Sequence, residues 1–185
     1  VWQMADRGGI RYMRTLRPST PVIYEPDVEF EIGGSHVARS SDDDQVTIVG
    51  AGITVHEALK AADMLQSDGI AARVIDCYSV KPIDADALRQ AAQETGGRLI
   101  TVEDHWPEGG LGDAVLEVFA DSDQSPRIVK MAVRKMPGSG PSSDLIKDVG
   151  IDAESIAQAA RQLAEMAPRE PVVPDLPPSA QPVEL

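Results

Sequence analysis

The stretch VTIVGAGITVHEALKAADML, from Val46 to Leu65, decides the fold of this chain. A short apolar run at its start predicts a buried strand, and the strand ends at Gly50-Ala51-Gly52. The residues that follow place apolar side chains at the spacing of one helical face, namely Ala58, Leu59, Ala62 and Leu65. The stretch is therefore a strand, a tight turn and a helix, the first half of a βαβ unit.

The same alternation of strands and helices continues along the chain as far as a last helix that begins at Asp152. Thr54 followed by Glu57 has the spacing of a capping box, and Gly69 ends the first helix. Further strands are predicted over residues 71–75, 98–102 and 128–133, with 36–39 as an edge strand. Three further helices are predicted: one is opened by Pro82 and Asp84, one begins at Gly110, and one is capped by Asp152. This order predicts an α/β fold, a three-layer arrangement with a mostly parallel sheet and helices on both faces.

The residues before and after this region differ in character. Apolar stretches at residues 10–13 and 22–24 predict strand, loop and strand, and the acidic segment that ends at Gly33-Gly34 predicts a linker. We divide the chain into residues 1–30, an α/β domain over 31–167, and a Pro-rich tail over 168–185. The tail holds six prolines and is expected to be disordered. The first residue is Val1, so we expect the chain to begin inside a longer polypeptide.

Composition narrows the class of protein. The formal net charge of −13 disfavours binding to nucleic acid or to an anionic membrane. No apolar run reaches the roughly 18 residues of a membrane helix. Cys77 is the only cysteine, which excludes a disulfide framework and a thiolate metal cluster. These features predict an acidic cytoplasmic protein.

Two motifs suggest chemistry. Gly50-Ala51-Gly52 before a helix could face a phosphate, with Asp76 as a ribose-binding acid, but Val55 stands where a dinucleotide fingerprint needs its third glycine. Glu103, Asp104 and His105 close a strand, where acid–base work or a metal is possible. The alternative interpretation of the second motif is a polar strand end in a buried interface.

Five segments in order resemble transketolase, from the end of its pyrimidine-binding domain through its C-terminal domain. They are GIRYMRTLRP (9–18), DDQVTIVGAGITVHEALKAADML (43–65), the turn 79–84, TVEDHWPEGGLGDAV (101–115) and MPGSGPSSDLIKDVGIDAESIAQAA (136–160). The resemblance extends over residues 9–165, and it implies that residues 1–30 are the end of the pyrimidine-binding domain and a linker.

The resemblance implies a part of a transferase of the pentose phosphate pathway that moves a two-carbon ketol unit between sugar phosphates. The complete enzyme would use thiamine diphosphate and magnesium (Mg2+), held in the family by a Gly-Asp-Gly segment ending in Asn. This chain has no Gly-Asp-Gly and no asparagine, so we expect no catalytic, cofactor-binding or metal-binding residue in it and no activity alone.

The resemblance also implies partners and site residues. The partners are the remaining transketolase domains or a partner subunit, the homodimer of the full enzyme, and sugar phosphates. Arg17 matches the family arginine that contacts the substrate phosphate, although Leu16 replaces the family serine before it. The family role of this domain in dimer assembly is assigned to Glu103, Asp104, His105 and Trp106.

Two alternatives stay open at this point. The first is the same domain in a related thiamine-diphosphate enzyme, either the beta subunit of a 2-oxoacid dehydrogenase or deoxyxylulose-phosphate synthase. The second, from a different class, is a stand-alone α/β module that binds a nucleotide.

Overall fold

A computed structural model describes residues 1–17 and 19–168 of the chain. It has five strands: β1 (His36–Arg39), β2 (Val46–Gly50), β3 (Ala72–Asp76), β4 (Arg98–Val102) and β5 (Arg127–Met131). It has six helices: α1 (Trp2–Asp6), α2 (Ile53–Ser67), α3 (Ala85–Glu94), α4 (Leu111–Val118), α5 (Ser142–Asp148) and α6 (Ala153–Ala164). Most of the predicted tail lies outside the described residues.

The strands form one sheet in the order β1-β3-β2-β4-β5. β2 pairs in parallel with β3 and β4, and β4 pairs in parallel with β5. β1 is antiparallel to β3 and lies at the edge, with a register shift between Val37 and Arg39. The predicted mostly parallel sheet with an edge strand at residues 36–39 is therefore confirmed.

Helices cover both faces of this sheet, which gives the three predicted layers. Neighbouring residues of a strand point to opposite faces, and the two halves of the core follow that alternation. Ile48 packs with α2 and α6 on one face, whereas Val49 packs with α3 and α4 on the other. All five residues of β2 are buried, as expected for a central parallel strand covered on both sides.

The start of α2 differs from the predicted capping box. Gly52 is the N-cap, with φ at +66°, a left-handed conformation that glycine adopts at little cost. Thr54 lies inside the first turn, where its Oγ1 accepts from the Ala51 amide at 3.0 Å and donates to the Val102 carbonyl at 2.8 Å. Glu57 does not bond back to the N-cap amide: one carboxylate oxygen pairs with Lys60 of the same helix, and the other accepts from the Ala153 amide at 3.0 Å. The pair therefore ties α2 to β4 and α6.

Helices α3 and α6 begin where the sequence predicts them. Asp84 is the N-cap of α3 and accepts from the Ala87 amide at 3.2 Å. Asp152 occupies the N-cap of α6 without a side-chain bond to the helix backbone, and its carboxylate accepts from the Ser155 hydroxyl instead. Helical spacing predicts Leu116 on the same face as Leu111 and Val115, but its side chain is 44% exposed, whereas those two are buried. Helices α1 and α5 were not predicted.

The predicted strand–loop–strand near the N-terminus is wrong. Residues 10–13 and 22–24 form no strand in the part of the chain that is described. The reason is that a strand needs a neighbouring strand to pair its backbone, and these two segments find none in the sheet. Their apolar side chains are largely exposed: Ile10, Tyr12, Met13 and Val22.

None of the helices within residues 1–17 and 19–168 has both the length and the hydropathy needed to cross a membrane.

Candidate functional site

The carboxyl ends of the central strands meet at one edge of the sheet, where open α/β folds usually place function. This edge, which we call the carboxyl edge, carries the Gly50-Ala51-Gly52 turn after β2, Asp76 at the end of β3 and Glu103 after β4. Leu16 contacts the turn after β2, Tyr24 contacts Asp76, and Arg14 contacts Asp104, the residue after Glu103. The candidate site is therefore the carboxyl edge together with the segment that covers it.

The glycine turn serves close packing. A Cβ at Gly50 would lie 3.0 Å from Oγ1 of Thr54 and 3.1 Å from the Thr54 carbonyl carbon, so α2 approaches the strand end closely only because glycine is there. A Cβ at Gly52 would lie 3.9 Å from the Leu16 side chain. The turn is thus covered by the N-terminal segment, and this geometry favours a packing role over a nucleotide site.

Asp76 is buried and is paired with an aromatic side chain rather than with a ligand. Its Oδ2 accepts a hydrogen bond from the hydroxyl of Tyr24, and its Oδ1 has no hydrogen-bond partner among the described residues. Burial raises the pKa of Asp76, and the Tyr24 hydroxyl and the nearby His36 and His56 act in the opposite direction. Burial, followed by the bond to Asp76, also raises the pKa of Tyr24. This pair anchors residue 24 to the end of β3.

An aromatic cluster surrounds that pair. The ring of Tyr24 meets Phe30 and His36 edge-on, each at a centroid distance of 4.9 Å. Phe30 meets Tyr78 in the same way at 5.0 Å. The cluster fixes the linker against the sheet, an arrangement that the scarcity of aromatics gave no reason to expect.

Glu103 holds the start of α4. Its two carboxylate oxygens accept from the amides of Leu111 at 2.7 Å and Gly112 at 3.1 Å. Burial raises the pKa of Glu103, while these two amides and the charges of His105 and Lys130 lower it. A carboxylate at a helix N-terminus satisfies unpaired amides and complements the helix dipole. Glu103 therefore acts within the domain.

The side chains of the three residues after Glu103 have different surroundings. Asp104 forms an ion pair with Arg14, whose Nη1 also donates to the Asp104 carbonyl at 3.3 Å. Nδ1 of His105 lies 2.7 Å from the Trp106 carbonyl, and because a carbonyl only accepts, Nδ1 carries the proton. Trp106 is 45% exposed. Asp104 and His105 are therefore not an acid–base pair.

Arg17 follows Leu16, which lies over Gly52 at this edge, and its side chain is exposed. Its guanidinium makes no hydrogen bond or ion pair with the residues that the structure describes, whereas Arg14, three residues earlier, is engaged by Asp104. The structure thus brings Arg14 and Asp104 together and leaves the Arg17 side chain exposed.

Other places in the described chain offer less chemistry. Two small cavities have volumes of about 110 and 190 Å³. Both lie at the edge of the sheet opposite the carboxyl edge, one lined by Gly96 and Gly97 and the other by Arg39 and Asp44. Neither reaches the size of a typical small-molecule pocket. Across the described residues, no three His, Cys, Asp or Glu side chains are grouped as metal ligands. Cys77 is buried, which raises its pKa to about 12.

Comparison with known proteins agrees with this architecture. The family model described as the transketolase C-terminal domain matches residues 35–156. The chain belongs to the transketolase C-terminal domain family. Its curated relatives include transketolase-like protein 1 of Bos taurus, 48% identical over 165 residues, 88% of this chain and 27% of that protein. Transketolase of Homo sapiens is 42% identical over 163 residues, 88% of this chain and 26% of that protein. The chain thus spans about a quarter of these relatives.

Solved structures show the same transketolase fold. A split-gene transketolase, an inactive beta4 tetramer, aligns with a TM-score of 0.71 at 38% identity, over 80% of this chain and 47% of that one. Transketolase from Leishmania mexicana aligns with a TM-score of 0.57 at 25% identity, over 77% of this chain and 19% of that one. The predicted transketolase family and fold class are therefore confirmed.

Proposed function

We propose that this chain is the C-terminal portion of a transketolase that works only together with the enzyme's other domains. The observation that supports it most is the 42% to 48% identity to transketolases and transketolase-like proteins over 163 to 165 residues. In this proposal those other domains, on the same polypeptide or on a partner subunit, hold thiamine diphosphate and Mg2+, and the assembled enzyme transfers a ketol unit between sugar phosphates in the cytosol. The named relatives favour this function over the 2-oxoacid dehydrogenase alternative.

Arg17 is the residue through which the chain would touch substrate. Its exposed guanidinium, with no partner among the described residues, can offer two parallel N–H donors to a phosphate. Such a contact would bind the phosphorylated end of the sugar and orient its reactive end. The rest of the chain has a structural role, in which residues 31–167 form the domain and residues 1–30 join it to the preceding one.

Assembly is the second part of the proposed role. Trp106 exposes a large apolar surface beside the carboxyl edge, as a residue at a subunit contact would. Glu103 and Asp104 support this surface from within, since they hold α4 and segment 14–17. His105 lies between them and Trp106. The beta4 tetramer of the similar split-gene protein is in keeping with an assembly role.

Two experiments test the proposal. The purified chain, given thiamine diphosphate, Mg2+ and sugar phosphates, is expected to show no ketol transfer, and activity is expected when the remaining transketolase domains are added. Turnover by the chain alone would refute the proposal.

The role of Arg17 is tested in the assembled enzyme. Arg17→Ala removes a charge-assisted contact worth about 2 kcal/mol, so kcat/KM for a ketose phosphate should fall about 30-fold. Arg17→Lys should lie between, because an ammonium keeps the charge without the planar fork. Arg134→Ala, a change at another exposed arginine, is the matched control. An equal fall for phosphorylated and unphosphorylated donors would contradict the phosphate contact.

A further inference from the structure

Segment 14–17 touches the carboxyl edge through alternate residues. Arg14 and Leu16 contact the domain, although the Arg14 side chain is itself 46% exposed, and Thr15 and Arg17 are exposed between and after them. The two contacts lie on different strand ends, because Arg14 reaches the residue after Glu103 and Leu16 reaches the turn after β2. Two separated contacts fix both the position and the direction of a short segment.

The Arg14 contact uses one residue twice. Its Nη2 pairs with Oδ1 of Asp104, and its Nη1 donates to the Asp104 carbonyl at 3.3 Å. The backbone pairing between β4 and β5 continues just past Asp104, because the Val133 amide donates to the His105 carbonyl at 2.9 Å. The carboxylate is thus presented by backbone that the sheet itself holds, which makes it a fixed anchor.

The Leu16 contact is apolar. Its side-chain carbons lie over Gly52, where a Cβ would be 3.9 Å away. Because Gly52 has no side chain, Leu16 can lie directly over the backbone of the turn after β2.

We propose that Asp104 is a positioning residue: by holding Arg14, with Leu16 seated on Gly52, it aims the exposed Arg17 guanidinium at the phosphate of the substrate. This inference rests on the proposed function for the identity of the ligand, but the holding of segment 14–17 by Asp104 is a property of the chain itself. The two parts can be tested separately.

Limited proteolysis of the full chain tests the holding. Trypsin cuts after Arg14, and the initial rate of that cut, followed by mass spectrometry, reports how often the segment detaches. Asp104→Asn is expected to raise the rate about two- to fivefold, the scale of an exposed ion pair. Leu16→Ala should raise it too, although it leaves the Arg14 side chain untouched. Asp63→Asn, which removes the partner of Arg39, is the matched control and should not.

If neither Asp104→Asn nor Leu16→Ala accelerates the cut beyond the control, the segment is not held and the inference is overturned. An increase for Asp104→Asn alone would overturn the two-contact arrangement.

Steady-state kinetics of the assembled enzyme test the aiming. Asp104→Asn is expected to raise KM for a ketose phosphate about two- to fivefold, the same scale as the loss of the exposed ion pair, and to leave KM for an unphosphorylated ketol donor unchanged within experimental error. Asp104→Glu keeps the carboxylate and should recover most of the loss. A parallel rise for both donors would indicate general damage and overturn the positioning role.

Arg17→Ala distinguishes the phosphate contact of Arg17 from the holding of segment 14–17 by Asp104. If it leaves the kinetics with the ketose phosphate unchanged, the phosphate contact of the proposed function fails, and the proteolysis result still decides whether Asp104 holds the segment.

Discussion

Replacing Glu103 tests how the carboxyl edge is held together. The side chain is 4% exposed and its carboxylate accepts from two amides at the start of α4, at 2.7 and 3.1 Å. Glu103→Ala removes a charged acceptor and leaves two buried amides without a partner. A hydrogen bond to a charged group contributes about 1.5 to 3 kcal/mol, and loss of an N-cap costs about 0.5 to 2 kcal/mol. We therefore expect the free energy of unfolding to fall by about 3 kcal/mol.

A graded series sharpens this prediction. Glu103→Gln keeps one acceptor oxygen but turns an NH2 group towards the second amide, so a loss of about 1.5 kcal/mol is expected. Gly110→Ala should be as harmful as Glu103→Ala, because its Cβ would overlap Oε2 of Glu103 and lie 2.9 Å from Cδ. Gly138→Ala, where a Cβ meets nothing within 4 Å, should change stability by less than about 1 kcal/mol.

Urea denaturation of the full chain, followed by circular dichroism, measures these differences at constant m-value. Glu108→Gln is the matched control, since Glu108 is an exposed carboxylate of the same loop. If Glu103→Ala is no less stable than Glu108→Gln, the carboxylate does not hold α4 and the reasoning is refuted.

Three further predictions concern Tyr24, Cys77 and the orientation of α4. Tyr24→Phe removes the donor to buried Asp76 and should cost about 1 to 3 kcal/mol at pH 7 in urea denaturation. The cost should shrink as the pH falls, because burial raises the folded-state pKa of Asp76, loss of the hydroxyl raises it further, and a protonated carboxyl loses less from the missing donor. Cys77, buried and with its pKa raised to about 12, should not react with a thiol reagent at pH 8 unless the chain is unfolded. Val115→Ala should cost about 2 kcal/mol, and Leu116→Ala less than about 1 kcal/mol, because only the first is fully buried.

Each of these has a control or a contrary result. Tyr12→Phe removes an exposed hydroxyl and should be neutral, and a cost for Tyr24→Phe that does not vary between pH 7 and pH 4 would contradict the pairing with Asp76. Labelling of Cys77 in the native chain as fast as in urea would contradict its burial. Equal losses for the two α4 variants would contradict the orientation of that helix.

The sequence predicted those parts of the fold in which local pattern and tertiary packing agree. The apolar run before Gly50 is a strand because parallel neighbours pair with its backbone and helices bury both of its faces, and that environment selects the same residues that a pattern search detects. The segment at residues 10–13 has similar local character but no strand beside it, so its β-preference is not realised. Leu116 illustrates a third case, because helical spacing gives a face only approximately and Val118 is buried in its place.

The contacts of the candidate site were harder to predict because they join distant residues. Tyr24 and Asp76 are 52 residues apart and Arg14 and Asp104 are 90 apart, and neither pair leaves a local signal. Glu103 is the exception that could have been found. An acidic residue just after a strand, followed by a glycine-rich turn and a helix, is the order expected of a carboxylate that caps the next helix.

The capping of α4 by Glu103 also bears on any search for ligands at the turn before that helix. Glycine-rich turns of this kind commonly seat sulfate or a phosphorylated metabolite on their free amides. Here the Glu103 carboxylate already accepts from the Leu111 and Gly112 amides, and it packs so closely on Gly110 that a Cβ there would overlap its Oε2. A soaked crystal should therefore show inorganic anions elsewhere, and a match to this turn in a library of phosphate loops would mislead.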